Sequence, residues 1–174
     1  MKFLTLIFLL FINIFGAELV NISQKPKAAL EAIENQAIRF GTGEMSKVYI
    51  FVDPLCEFSR ALMKKIYENK ILQLSNSYYV LFYRLPILDS EHMMQYILES
   101  KNPKETLIKV MIDEEIIDVS KYKAKPKTIK IIKEIAKVAS TLDMTKRPYM
   151  ISFDKDSKFC RVSEGSVSCL DEFE

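Results

Sequence analysis

The chain has 174 residues, 49% hydrophobic and 28% charged, with a formal net charge of +2. That length fits one domain with a core of its own. The charges are mixed and nearly balanced, which gives no reason to expect nucleic acid or an acidic membrane as a partner. The lysines are spread along the chain and read as solvated surface.

The N-terminus is set apart by its composition. Met1-Lys2 is a short positive start, Phe3 to Phe15 is apolar except for Thr5 and Asn13, and Gly16-Ala17 supplies small residues at a cleavage point. This is the layout of a secretory signal peptide. The apolar run of about thirteen residues is short of the roughly 20 that span a bilayer; an uncleaved anchor is the alternative. The expected division is a signal peptide over 1–16, a leader and helix over 17–43, and the folded domain over 44–174. A mature chain starting near Ala17 or Glu18 would occupy an oxidising compartment. Its three cysteines are Cys56, Cys160 and Cys169. An odd number leaves at least one unpaired, or paired with another molecule.

Residues 18–27 read as a mobile leader. From Lys27 to Phe40, apolar residues recur among charged ones at helical spacing, with Pro26 just before and Gly41-Thr-Gly43 as a stop. Lys47 to Val52 is a continuous apolar, β-rich run, the pattern of a strand buried on both faces; Asp53-Pro54 breaks it. Cys56 to Asn69 returns to helical spacing, with Phe58, Leu62 and Ile66 on one face. Ser75-Asn76 makes a turn, and Tyr78 to Leu85 is a second apolar strand stopped by Pro86. Asp89 or Ser90 can cap a helix through Glu99. Asn102-Pro103 opens another, to about Ile112.

Lys125 to Leu142 is amphipathic: Ile131, Ile132, Ile135, Val138, Ala139 and Leu142 inward, lysines outward. After Pro148, Tyr149 to Phe153 is a third strand, and the tail from Lys158 to Leu170 reads as a hairpin around Glu164-Gly165. The first two strands flank a helix and so should be parallel; the last two should be antiparallel. The expected fold class is α/β, a mixed central sheet flanked by helices, with a helical insertion and a C-terminal hairpin.

Cys56 stands where a buried strand meets the next helix. The free N–H groups and the positive end of that helix stabilise an anion there, and the thiolate is the nucleophilic form of cysteine. Glu57 beside it works in the opposite direction. A buried Cys packed as a small hydrophobe is the alternative.

The string Val48-Tyr-Ile-Phe-Val-Asp-Pro-Leu-Cys-Glu-Phe-Ser-Arg60 resembles the active-site segment of periplasmic DsbC/DsbG-type disulfide isomerases. There an apolar strand runs into Asp-Pro and a Cys-x-x-Cys at a helix start. Lys146-Arg-Pro148 before a short strand is similar to the thioredoxin superfamily's cis-proline segment, which sits opposite the active-site Cys and offers backbone to substrate. The resemblance covers roughly residues 37–155. It implies a thioredoxin-like fold, a periplasmic location, and Cys56 as nucleophile with Pro148 facing it. It also implies cysteine-containing periplasmic proteins as substrates, contacted by Glu57, Phe58, Arg147 and Pro148, with room for a membrane redox partner. No cofactor is implied.

The departures narrow that activity. Ser59 replaces the second Cys, which in a dithiol site resolves a stalled mixed disulfide. Its hydroxyl can still donate a hydrogen bond to the Cys56 thiolate. Arg147 stands where the isomerases carry a small or β-branched residue; its guanidinium would face the thiolate or a partner's carboxylate, or else solvent. No N-terminal dimerisation module precedes Gly43, so a monomer is expected.

A two-residue turn at Glu164-Gly165 would set residue 160 opposite 169 as a non-hydrogen-bonded pair, with Cα atoms about 4.5 Å apart. A Cys160–Cys169 disulfide is then expected, worth about 2–3 kcal/mol on the chain-entropy estimate; a resolving pair for Cys56 is the alternative. His92 is the sole histidine, and Met93-Met94 reads as core, so no metal site is expected. Two functions fit: a monothiol oxidoreductase or isomerase, and a redox-inactive chaperone or assembly factor for envelope proteins.

Overall fold

The computed structural model describes residues 18–20, 24–142, 144–154 and 160–165. The expected signal peptide and Cys169 lie outside them. The elements in chain order are β1 (Glu18–Val20), α1 (Gln24–Glu31), β2 (Ile38–Phe40), β3 (Ser46–Val52), α2 (Glu57–Glu68), α3 (Lys70–Ser75), β4 (Asn76–Phe82), α4 (Glu91–Glu99), α5 (Pro103–Met111), α6 (Pro126–Ala139), β5 (Tyr149–Asp154) and β6 (Cys160–Glu164).

The strands form one six-stranded sheet in the order β1-β6-β5-β3-β4-β2. β3 and β4 run parallel, Val48 opposite Tyr78 through Val52 opposite Phe82, and α2 makes the crossover that a parallel pair needs. β5 is antiparallel to β3 and to β6. Side chains alternate along β3. Val48, Ile50 and Val52 pack with Leu62, Met63 and Ile66 of α2 and with α4 and α5 on one face. Tyr49 and Phe51 pack with Leu30 of α1 and with Ile135 and Ala139 of α6 on the other. Both faces are covered, which is why the strand reads as an unbroken apolar run. Each such fully buried side chain contributes about 1.5–3 kcal/mol.

Several local expectations change. Residues 38–40 are a strand, not the end of a helix: Ile38 and Phe40 are buried and Arg39 is exposed, and β2 pairs antiparallel with β4. Gly41 and Gly43 therefore do not cap a helix. They let the β2–β3 connection lie against residues 73–76, where a Cβ on Gly41 would come within 2.3 Å of Asn76 O and one on Gly43 within 2.0 Å of Ser75 C. The expected turn at Ser75-Asn76 is the direct junction of α3 and β4. In α2 the buried stripe is Ser59, Leu62, Met63 and Ile66; this i, i+3, i+4, i+7 set turns Phe58 outward, half exposed.

The leader over 17–43 contributes β1 and β2 to the sheet. Among the described residues the C-terminal hairpin is β5–β6; the second arm of the tail hairpin expected around Glu164-Gly165 lies outside them. Cys160 lies opposite Phe153 on one side and Val20 of β1 on the other. Both edges of β6 are filled there, and the expected Cys160–Cys169 disulfide involves a residue outside the described ones.

Candidate active site

Cys56 occupies the N-cap of α2, with extended backbone and no side-chain cap. Its N–H donates to Asp53 O at 3.1 Å and its carbonyl accepts from Arg60 N at 3.0 Å, the first bond of the helix. The residue is 7% exposed. Its Sγ lies 3.7 Å from the carbonyl oxygen of Arg147, and the Arg147–Pro148 peptide bond is cis. The strand–helix junction and the segment before β5 thus converge on one sulfur. Glu57 and Phe58 are exposed on the first helical turn beside it.

Asp53 organises this junction and is fully buried. Its Oδ1 accepts from Leu55 N at 2.9 Å. Its Oδ2 accepts from Leu85 N at 2.7 Å and from the Ser90 hydroxyl at 2.8 Å. The carboxylate joins the Cys56 turn to the loop after β4 and to the start of α4, so Ser90 serves Asp53 and not the α4 N–H groups. Ser59 is fully buried, and its Oγ accepts from Asp53 N at 3.3 Å. The Arg60 guanidinium braces the turn from outside, Nε donating to Pro54 O at 2.8 Å.

Arg147 is buried, not solvent-facing. Its guanidinium stacks on the Tyr83 ring, 4.1 Å from the centroid. Nε donates to Tyr83 O at 3.1 Å and Nη1 to Lys146 O at 2.6 Å. Burial lowers its pKa from the ordinary value, opposed by Tyr83, Glu164, Asp53 and Cys56 nearby; a guanidinium stays protonated under such shifts. The Glu164 carboxylate accepts from the N–H groups of Thr145 and Lys146 and from the Thr145 hydroxyl at 3.1 Å. Gly165, at φ +70°, donates its N–H to Pro148 O at 2.7 Å. The hairpin end therefore holds the segment that faces Cys56.

Cys56, Ser59, Arg147 and Pro148 are thus brought to one place, with Glu57 and Phe58 on the surface beside them. Cys160 is not there. It lies at the end of the hairpin opposite Glu164, four positions along β6, about 13 Å at the usual rise of a strand. Asp53, Tyr83 and Glu164 are the residues that sequence reasoning missed. Only Asp53 left a signal, since Asp-Pro-x is an Asx-turn pattern. Among the described residues no group of three or more His, Cys, Asp or Glu side chains is placed to hold a metal ion, and no helix is long and apolar enough to cross a membrane.

The parallel β3–α2–β4 unit, the antiparallel β5–β6 hairpin and helices on both faces make a thioredoxin-like fold. No family model matches the chain and no curated protein matches its sequence; the likeness is to solved structures. ScsC of Proteus mirabilis in a compact conformation superposes with a TM-score of 0.59 at 17% identity, over 83% of this chain and 80% of that one. A disulfide interchange protein from Neisseria gonorrhoeae gives 0.56 at 14% identity, over 80% and 94%. Oxidised BdbD of Bacillus subtilis gives 0.52 at 13% identity, over 91% and 96%.

Proposed function

We propose that this chain is a periplasmic thiol–disulfide interchange protein that acts through Cys56 on cysteine-containing envelope proteins, a monothiol counterpart of the DsbC/DsbG type. The observation that carries this is Cys56 Sγ at the start of α2, 3.7 Å from the Arg147 carbonyl of the cis-proline segment, within a thioredoxin-like fold. Cys56 acts as its thiolate, the nucleophilic form of cysteine. It attacks one sulfur of a substrate disulfide; a Cys56–substrate disulfide forms and the other substrate sulfur leaves as thiolate. A second substrate thiol then attacks the mixed disulfide and returns Cys56, so the substrate's bonds are rearranged with no net oxidation. Ser59 cannot perform that second attack. A small thiol or a membrane redox partner would release substrates that do not resolve themselves.

The Arg147–Pro148 backbone would present the substrate chain, and Glu57 and Phe58 would flank it. With so little of Cys56 exposed, an extended segment suits the site better than a folded surface. Signal cleavage before Ala17 or Glu18 would leave β1 whole, and N-terminal sequencing of the exported protein tests that location.

Two observations favour a second reading, a redox-inactive chaperone: the burial of Cys56 and the bond between Ser59 Oγ and Asp53 N. Incubation of the mature protein and Cys56→Ala with a scrambled, unfolded substrate, followed by alkylation, separates the two. Interchange predicts mixed disulfides and faster reshuffling with the parent and neither with Cys56→Ala. Equal suppression of aggregation by both, with no mixed disulfide, supports the chaperone.

A further inference from the structure

One residue before Cys56, Leu55 forms a wall of a cleft of about 410 Å³. Met93 of α4 and Ile117 and Val119 of the 113–124 segment supply the other apolar walls, and Asp89 and Asp118 stand on its rim. The 113–124 segment is tied to the rest of the fold at several points, among them the Tyr122 hydroxyl donating to Glu99 at 3.0 Å. Glu114 pairs with Arg60 at 3.8 Å, and Val119 O lies 3.1 Å from His92 Nδ1. Ile117 and Val119 are partly buried against the main core, so the cleft has a fixed floor.

The lining of the cleft is acidic. The whole chain has 25 basic and 23 acidic residues. The residues lining the cleft include Asp89 and Asp118 and no Lys or Arg; residues 87–93 and 113–120 add Glu91, Asp113, Glu114 and Glu115, of which Glu114 pairs with Arg60, and Lys121 and Lys123 follow in the same segment. All six acids are exposed, and Glu57 adds another beside Cys56. Ile87 and Ile116 stand out from these same segments at 88% and 101% exposure. Ser120 N–H donates to Asp118 at 2.9 Å, which fixes that carboxylate.

We propose that this cleft seats an apolar side chain next to the reactive cysteine of an extended, cationic polypeptide, so that cysteines flanked by Lys or Arg are captured first. The inference rests on the interchange reading of Cys56. An extended chain advances about 3.3 Å per residue, so a side chain one or two positions from the captured cysteine reaches past Leu55. The acidic rim attracts the cationic flanks and repels acidic ones, and acts mainly on the rate of encounter.

The test uses peptides whose single cysteine is joined to 2-nitro-5-thiobenzoate. The Cys56 thiolate attacks the peptide sulfur, the Cys56–peptide disulfide forms, and nitrothiobenzoate leaves as a coloured thiolate. Rates are measured for Lys-flanked Leu-Cys, Glu-flanked Leu-Cys and Lys-flanked Ser-Cys peptides. Each is corrected for release with Cys56→Ala and divided by its rate with free glutathione.

The Lys-flanked Leu-Cys peptide should react about tenfold faster than either of the others. High salt should close the gap to the acidic peptide. The Asp89→Asn/Asp118→Asn variant should slow the Lys-flanked peptide and speed the Glu-flanked one. Equal corrected rates for all three peptides would overturn the proposal and leave interchange standing. Release with no peptide from the folded protein, when the urea-unfolded chain reacts with all, would overturn the interchange reading and this proposal with it.

Discussion

Asp53→Ala removes a fully buried carboxylate that accepts from Leu55 N, Leu85 N and the Ser90 hydroxyl at 2.9, 2.7 and 2.8 Å. Each donor left without an acceptor costs about 1–3 kcal/mol. The three are not additive, because the loop after β4 relaxes and water enters the space. A loss of about 3–5 kcal/mol is expected, a large part of the roughly 5–15 kcal/mol that holds a domain folded. Asparagine keeps one accepting oxygen but turns an NH₂ toward a donor, for a loss of about 2–3 kcal/mol. Ser90→Ala removes one donor and leaves Leu85 N on Oδ2, for about 1 kcal/mol. Urea unfolding of the mature protein gives these values from the midpoints. A double-mutant cycle of Asp53→Asn with Ser90→Ala should show coupling above about 0.5 kcal/mol. Because Asp53 also fixes the turn that carries Cys56, alkylation of Cys56 should be faster in Asp53→Ala before any global unfolding. Stability within about 0.5 kcal/mol of the parent, with unchanged alkylation, would refute the role of Asp53 as the hub of the site.

Three further outcomes are expected. Glu164→Ala frees the Thr145 and Lys146 N–H groups and should cost about 1–2 kcal/mol while speeding alkylation of Cys56. Ser59→Cys supplies an internal thiol on the same helical turn, so mixed disulfides trapped with the parent should become short-lived and an oxidised 56–59 pair should appear by mass spectrometry.

The pH dependence follows from Glu34, which accepts from Lys47 and Tyr49 on the sheet face packed by α1. Burial alone would raise the Glu34 pKa, but these two bonds together with the charges of Lys47 and Arg39 hold it below the ordinary value. Its stabilisation is therefore present above the ordinary carboxylate pKa and lost as pH falls through the lowered one. Burial and the Glu34 bond raise the pKa of Tyr49, and the Glu34 bond raises that of Lys47. Their contributions are full below the ordinary values and fade as pH rises through the raised ones. Thermal unfolding across pH should show a plateau between these limits, and Glu34→Gln should flatten its acidic edge.

The sequence by itself determined the elements whose signal is local. β3 and β4 read as apolar runs because both their faces are covered, and α2 and α6 showed helical spacing because each buries one stripe. Cys56 at a strand–helix junction was legible for the same reason, since strand, break and helix follow within a dozen residues. Tertiary structure decided what depends on partners far along the chain. Ile38 to Phe40 fits a helix by spacing, and only the ladder to β4 makes it a strand. Nothing in residues 18–20 announces a partner at 160–162, yet that pairing fills the edge of β6. Asp53 looked like a strand breaker; it is a hub because Leu85 and Ser90 come to it from across the crossover. Arg147 is buried because Tyr83 lies under its guanidinium. The thiol could be found from the sequence, but the carboxylates and carbonyls that hold its surroundings belong to segments that only the folded sheet brings together.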